Sequence, residues 1–341
     1  MSSPARVGIV GFRGYSGAEL VRILEHHPFV NPILLEHRSD AGDKPQPLGR
    51  KMPQRMPCTP EAVKTESVAV VFLATPPEVS MELTQPMLDA GAKVIDLSGA
   101  FRFGDTATYS RWYKESHTAA HLLSEAVYGL PEMNRARIAP ARLVSNPGCY
   151  PTAANLAIQP LVQAGVIDLA AGIVCDAKSG VSGAGRKPTL KTAFCEVTGN
   201  FSAYSVLDHR HVPEVLLNSG LKESEFSFTA QLLPLDRGIL ETIYFRARGL
   251  AGVENLASIF QARYQNEPFV RLYAPGQFPD LKAVQRTNFC DIGFKFDPPT
   301  GRAVIVSVID NLGKGAAGQA VQNMNLMLGF PETEGLLWSP L

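Results

Sequence analysis

Arg6-Val7-Gly8-Ile9-Val10-Gly11-Phe12-Arg13-Gly14-Tyr15-Ser16-Gly17 is the stretch that decides the fold. A short apolar run meets three glycines at GxxGxxG spacing. Residues 18–27 then place Leu20, Val21 and Leu24 on one helical face until Pro28 stops the pattern. Residues 30–35 read as a second strand. Strand, glycine turn, helix and strand within about 30 residues form the context a dinucleotide site requires. The glycines let the backbone approach a pyrophosphate, which the N–H groups of a helix start attract. Gly11, Gly14 and Gly17, with Arg13, Tyr15 and Ser16 between them, are therefore candidate cofactor contacts.

The alternation continues outward. Residues 68–74 are nearly all apolar, as a parallel strand buried on both faces should be. Thr75-Pro76-Pro77 ends that run, residues 78–90 read as a helix, and residues 93–97 form the next strand. Open α/β sheets bind ligands at the carboxyl ends of their strands, so Thr75, Ser98 and Arg102 are expected to face one crevice. A guanidinium suits anions, which makes Arg102 a candidate clamp. Glu36-His37-Arg38-Ser39 closes the second strand. Arg38 and Ser39 suit a ribose 2′-phosphate, so NADP(H) is preferred to NAD. The proline-rich stretch 43–60 reads as an irregular loop.

Beyond residue 148 the character changes. Residues 226–232 and 239–245 alternate with period two, which suits an antiparallel sheet with one buried face, and residues 303–309 supply another strand. The expected fold class is α/β. A Rossmann-type parallel-sheet domain over 1–148, completed by 312–341, joins an α+β domain with a largely antiparallel sheet over 149–311.

The chain has 341 residues, 45% of them hydrophobic, and a formal net charge of +0. Two domains are the default at this length. The charge balance gives no nucleic-acid footprint. No apolar run approaches the roughly 20 residues of a membrane span, and the N-terminus lacks a signal-peptide core. Five scattered cysteines form no CxxC pair and no zinc spacing, so a reduced cytoplasmic protein without a metal is expected.

Ser145-Asn146-Pro147-Gly148-Cys149-Tyr150-Pro151-Thr152 carries the chemistry. It follows the apolar 142–144 and opens a helical segment, 153–162. A cysteine at a helix start is favoured as a thiolate, hence as a nucleophile. The alternative is a buried structural thiol. Two other clusters hold more polar residues and glycines than packing needs. Lys178-Ser179-Gly180-Val181-Ser182-Gly183-Ala184-Gly185-Arg186 follows the strand 172–177, and its N–H groups can form an anion nest. His209-Arg210-His211-Val212-Pro213-Glu214 precedes a proline-started helix and offers two imidazoles as acid/base partners for Cys149.

Together these blocks resemble the N-acetyl-γ-glutamyl-phosphate reductases, the arginine-biosynthesis branch of the semialdehyde dehydrogenase group. The resemblance is carried by Gly11 to Leu20, by Asp96 to Arg102, and by Tyr128-Gly129-Leu130-Pro131-Glu132. Asn146 to Thr152, Ser179 to Arg186, His209 to Glu214 and Asp310-Asn311-Leu312-x-Lys314-Gly315-Ala316-Ala317-Gly318-Gln319-Ala320 carry it further. Phe12-Arg13 departs from the small residues usual between the first two glycines. The resemblance implies an NADP(H)-linked reduction of an acyl phosphate to a semialdehyde through a Cys149 thioester. It also implies His211, or else His209, as acid/base. Ser98, Arg102, Asn146 and Glu214 would meet the substrate. Ser179, Gly180, Ser182, Gly183, Asn311 and Gly315 would meet the cofactor, with the helix 315–328 returning to the nucleotide domain. Relatives form dimers or tetramers, so a homo-oligomer is expected, through the antiparallel sheet. The nearest rival activities are aspartate-semialdehyde dehydrogenase and an aminoadipate-type phosphate reductase. A Cys–His hydrolase or acyltransferase and a non-catalytic NADP sensor are rivals of other classes.

Overall fold

The structure, a computed structural model, describes residues 3–37 and 53–337. The chain divides into two compact units. One holds the residues up to 106 with 116–146 and 320–336, and the other holds 107–115 and 147–319.

The first unit is built on a seven-stranded sheet in which every pair is parallel. Its strands are β1 (Ala5–Val10), β2 (Val30–Glu36), β3 (Gln54–Pro57), β4 (Val70–Leu73), β5 (Lys93–Asp96), β6 (Val127–Tyr128) and β7 (Leu143–Ser145). They lie in the order β3-β2-β1-β4-β5-β7-β6. Val7, Ile9, Ile33, Val70, Val71, Phe72, Leu73, Val94, Ile95, Leu143 and Val144 are shielded from solvent, as a sheet covered on both faces demands. The chain winds outward from β1 to β3 and then returns to β4. The strand order therefore reverses between β1 and β4, the place where such sheets bind ligands.

Two glycines of the opening stretch are dictated by that crossing. Gly11 ends β1 at φ +76°, and a β-carbon there would stand 2.2 Å from the carbonyl oxygen of Ala74. A β-carbon on Gly17, in the helix Tyr15–Leu24, would stand 2.2 Å from the carbonyl oxygen of Gly11. Helix and strand can pack this closely only without side chains. The stretch expected to be an irregular loop requires a correction at its end. Residues 54–57 form β3, parallel to β2, and the helix Pro60–Thr65 follows. Proline signalled a loop, but β3 is an edge strand, and an edge tolerates Pro57 because one side of its ladder has no partner to satisfy.

The second unit carries β8 (Ile173–Gly180), β9 (Ser202–Tyr204), β10 (Phe226–Leu233), β11 (Ile239–Arg246), β12 (Val270–Leu272), β13 (Cys290–Asp297) and β14 (Arg302–Ile309). Their order is β12-β13-β14-β11-β8-β10-β9. The pairs β8–β10 and β12–β13 are parallel and the rest antiparallel, so the sheet is mixed. The helix Cys149–Gln163 packs on β11 and β14 and buries most of its length. Pro160 inside it leaves the carbonyl of Leu156 without its helical donor, and the Tyr264 hydroxyl donates to that oxygen at 2.6 Å.

Candidate active site

Cys149 begins its helix after Gly148, in extended conformation, and no side chain caps the helix start. The thiol is half-buried, and all five cysteines are free thiols. A cavity of about 740 Å³ surrounds it, lined among others by Tyr150, Ser179, Gly180, Gly183, Tyr204, His209, Arg210 and His211. The glycine nest after β8 and the histidine cluster, far apart in sequence, thus meet at the cysteine.

The turn before Cys149 is held from behind. The Gly148 N–H donates to Glu214 Oε2 at 2.9 Å. A β-carbon on Gly148 would stand 2.8 Å from His211 Nε2 and 2.9 Å from Glu214 Oε1. Imidazole and carboxylate therefore crowd the α-carbon of the residue preceding the thiol. Glu214, expected on the substrate, has no solvent exposure and lies behind this turn. On the other side, a β-carbon on Gly315 would stand 2.9 Å from Cys149 Cβ. Gly315 belongs to a π-helical turn, Gly313–Ala317, that precedes the helix Gly318–Leu328.

The two imidazoles are not equivalent. His209 Nδ1 accepts the His211 N–H at 3.2 Å, which fixes its acceptor nitrogen. Its ring stands among Tyr150, Tyr204 and Phe228, with centroids 5.3 to 5.6 Å away. Burial, and then the Arg210 charge, push its pKa down to about 4, so it is neutral at pH 7. His211 has Nε2 against Gly148 instead. Tyr150 and Tyr204 share a hydroxyl contact at 3.1 Å. Burial raises both phenols, that of Tyr204 to about 12, so both remain protonated.

Asp310 holds the loop that brings in Gly315. Its carboxylate accepts from the N–H groups of Arg286, Leu312 and Gly313, and from Arg237 Nε at 3.0 Å. Both members of this ion pair are buried. Asn311 Oδ1 accepts from the Gly238 N–H at 2.7 Å, and its Nδ2 donates to Ser182 Oγ at 2.9 Å. Asn311 and Ser182, both expected at the cofactor, are thus bonded to each other. Sequence reasoning missed Arg237, Tyr150 and Tyr204. Arg237 carries no local signal, because its partner lies 73 residues away.

In the first unit a smaller cavity, about 190 Å³, opens at the ends of β1 and β4. It is lined among others by Gly11, Phe12, Arg13, Glu36, His37 and Thr75. The helix beside it starts at Tyr15 with no side-chain cap and no acidic residue in its first turn, which leaves its N–H groups and dipole to suit a phosphate. Glu36 lies 3.5 Å from Arg13 and 3.7 Å from Arg55. Arg38 and Ser39 lie outside the described residues.

Ser98, Arg102 and Asn146 form a network of their own. Ser98 donates through N and Oγ to Asp96, buried at the end of β5. Arg102 Nε donates to the Asn146 carbonyl at 3.0 Å, and Nη2 to the Leu97 carbonyl at 3.1 Å. Asn323 Nδ2 donates to Asn146 Oδ1 at 3.0 Å. Among the described residues, no cluster of His, Cys, Asp or Glu suits a metal.

Comparison with known proteins follows the same division. Residues 6–141 match the model of the semialdehyde dehydrogenase NAD binding domain, and residues 149–311 match that of the semialdehyde dehydrogenase dimerisation domain. N-acetyl-gamma-glutamyl-phosphate reductase from Symbiobacterium thermophilum is 47% identical over 97% of both chains. The chain belongs to this family. The reductase of the same name from Shouchella clausii is 46% identical, over 98% of this chain and 99% of the relative. Among solved structures, aspartate semialdehyde dehydrogenase II from Vibrio cholerae, complexed with ASA, superimposes with a TM-score of 0.73 at 18% identity. It covers 96% of this chain and 99% of its own. Aspartate semialdehyde dehydrogenase with NADP from Candida albicans gives 0.69 at 16%, over 96% and 99%. At these identities the two structures speak for the fold.

Proposed function

We propose that the chain is an N-acetyl-γ-glutamyl-phosphate reductase. It converts the acyl phosphate to N-acetylglutamate 5-semialdehyde and phosphate with NADPH, in arginine biosynthesis. The observation that carries this is a cysteine at an uncapped helix start, sharing one cavity with a histidine pair, in a chain nearly half identical to reductases of that name.

Cys149 Sγ attacks the acyl-phosphate carbonyl; the C–S bond forms, the C–O bond to phosphate breaks, and phosphate leaves with the electron pair. Backbone N–H groups at the start of the Cys149 helix stabilise the transient oxyanion. Arg102, with Ser98 in the same loop, is assigned to the departing phosphate. The product of this step is a Cys149 thioester, whose carbon stays electrophilic because sulfur donates weakly into the carbonyl. A reduced nicotinamide, when bound, supplies the hydride. His211 protonates the oxyanion of the thiohemiacetal and takes the proton back as the C–S bond breaks, which frees the aldehyde and the thiolate. His209, neutral and enclosed by aromatic rings, is the weaker candidate for that proton and fixes the backbone of His211 instead. Glu214 holds the turn that aims the thiol. Gly11, Gly14 and the uncapped helix behind them would hold the dinucleotide phosphates, with Arg38 and Ser39 assigned to the 2′-phosphate.

The protein is assigned to homo-oligomers, through the second sheet. Two residues on its open face, Val174 on β8 and Tyr244 on β11, are cross-strand partners and are 47% and 45% exposed. Among the described residues no helix is long and apolar enough to cross a membrane. We assign the chain to the cytoplasm because its relatives are biosynthetic enzymes. The reverse assay tests the activity: NADPH should form from N-acetylglutamate 5-semialdehyde, phosphate and NADP. A higher kcat/KM with aspartate semialdehyde, or ester hydrolysis without nicotinamide, would overturn it.

A further inference from the structure

Five charged side chains line the cavity around Cys149: Lys114, Lys191, Glu196, Asp208 and Arg210. Lys114 and Asp208 face one another at 3.7 Å. Arg210 differs from both lysines in being held against an aromatic ring. Its guanidinium lies over the Tyr113 ring, 5.6 Å from the centroid, which restrains a side chain that would otherwise sample many rotamers. Among the described residues no carboxylate lies within ion-pairing distance of it. It also stands in the chain between His209 and His211, so its backbone is fixed beside the imidazole assigned to the reacting carbonyl.

An N-acylated glutamyl phosphate carries a second anion besides its phosphate. Its α-carboxylate is joined to the reacting carbonyl through three carbon atoms, roughly 5–6 Å away by ordinary bond lengths. Arg210 is exposed and lines the cavity that also holds Cys149, the space open to this carboxylate once the carbonyl meets the thiol. A planar guanidinium can take both carboxylate oxygens at once, which fixes orientation as well as charge. We propose that Arg210 binds the substrate α-carboxylate and so selects N-acyl amino-acid semialdehydes over simple aldehydes. This rests on the reductase reading above. It adds a specificity role for the middle residue of the histidine cluster, which the catalytic scheme leaves unused.

Two aldehydes test it in the reverse assay with phosphate and NADP: N-acetylglutamate 5-semialdehyde, and 4-acetamidobutanal, which has hydrogen in place of the carboxylate. The wild type should favour the first by on the order of a hundredfold in kcat/KM, the scale of a charge-assisted bidentate contact. Arg210→Gln should reduce that preference to about threefold, mainly through a higher KM, and Arg210→Lys should retain part of it. Lys191→Gln should leave the preference intact. The proposal is overturned if Arg210→Gln and Arg210→Lys lower both aldehydes equally. It is also overturned if the preference survives Arg210→Gln, or disappears with Lys191→Gln. A wild type that forms no NADPH from either aldehyde overturns the reductase reading, and this inference with it.

Discussion

The Gly148 N–H donates to Glu214 Oε2 at 2.9 Å, and that one bond ties the turn before the thiol to the helix that follows the histidine cluster. Glu214 sits in the first turn of Val212–Ser219, a helix started by His211 and Pro213. The carboxylate and the imidazole are therefore delivered by one rigid element to the α-carbon of Gly148, where there is no space for a side chain.

Gly148→Ala is expected to push His211 and Glu214 away from the turn. Misplacement of about 1 Å at a reacting centre costs around a hundredfold in rate. The expected outcome is a kcat/KM loss of that order with NADPH affinity unchanged, measured by steady-state kinetics and fluorescence titration.

Cys149→Ala should remove turnover by several orders of magnitude and leave NADPH binding intact, because a nucleophile cannot be replaced by binding alone. Residual activity above a tenth of wild type would rule out the thioester route. His211→Asn should lower kcat well below that of His209→Asn.

His209 predicts a pH dependence of stability. Its folded pKa, about 4, lies below the ordinary 6.5, so the folded state prefers the neutral ring. The unfolded chain takes up the proton first as pH falls. Stability is fully present above pH 6.5 and is lost progressively between 6.5 and 4, by about 3 kcal/mol at pH 4. His209→Phe should flatten that part of the curve in urea melts taken at pH 7, 5.5 and 4.

The buried Arg237–Asp310 pair should resist change from either side. Arg237→Leu leaves a buried carboxylate without its counter-ion and is expected to destabilise the fold by about 3–5 kcal/mol. It should also lower kcat through Gly315. Calorimetry and kinetics on one preparation check both.

For the cofactor, Arg38→Ala should raise the KM for NADPH at least tenfold, roughly the effect of losing one charge-assisted contact, and that for NADH less than twofold. Equal losses would remove its assigned role.

Local pattern and tertiary structure contributed different parts. The glycine stretch 11–17, the apolar runs of β1, β2, β4 and β5, and the helix opened by Cys149 were legible because each depends on neighbours within a few residues. Period, turn chemistry and helix starts are short-range physics. The resemblance in the cysteine block and the histidine cluster named the family on the same basis. The edge strand β3 was not legible, since the proline-rich stretch around it read as a loop until β2 supplied a partner on one side. The parallel pairing of β8 with β10 was invisible for the same reason: a strand does not encode the direction of its neighbour. The distinction between His209 and His211 was also decided by packing. Both stand in one short run, and only the aromatic enclosure of the first and the approach of the second's Nε2 to Gly148 separate them. Arg237 had no sequence signal, because burial, charge pairing and pKa belong to the surroundings a side chain acquires when the chain closes on itself.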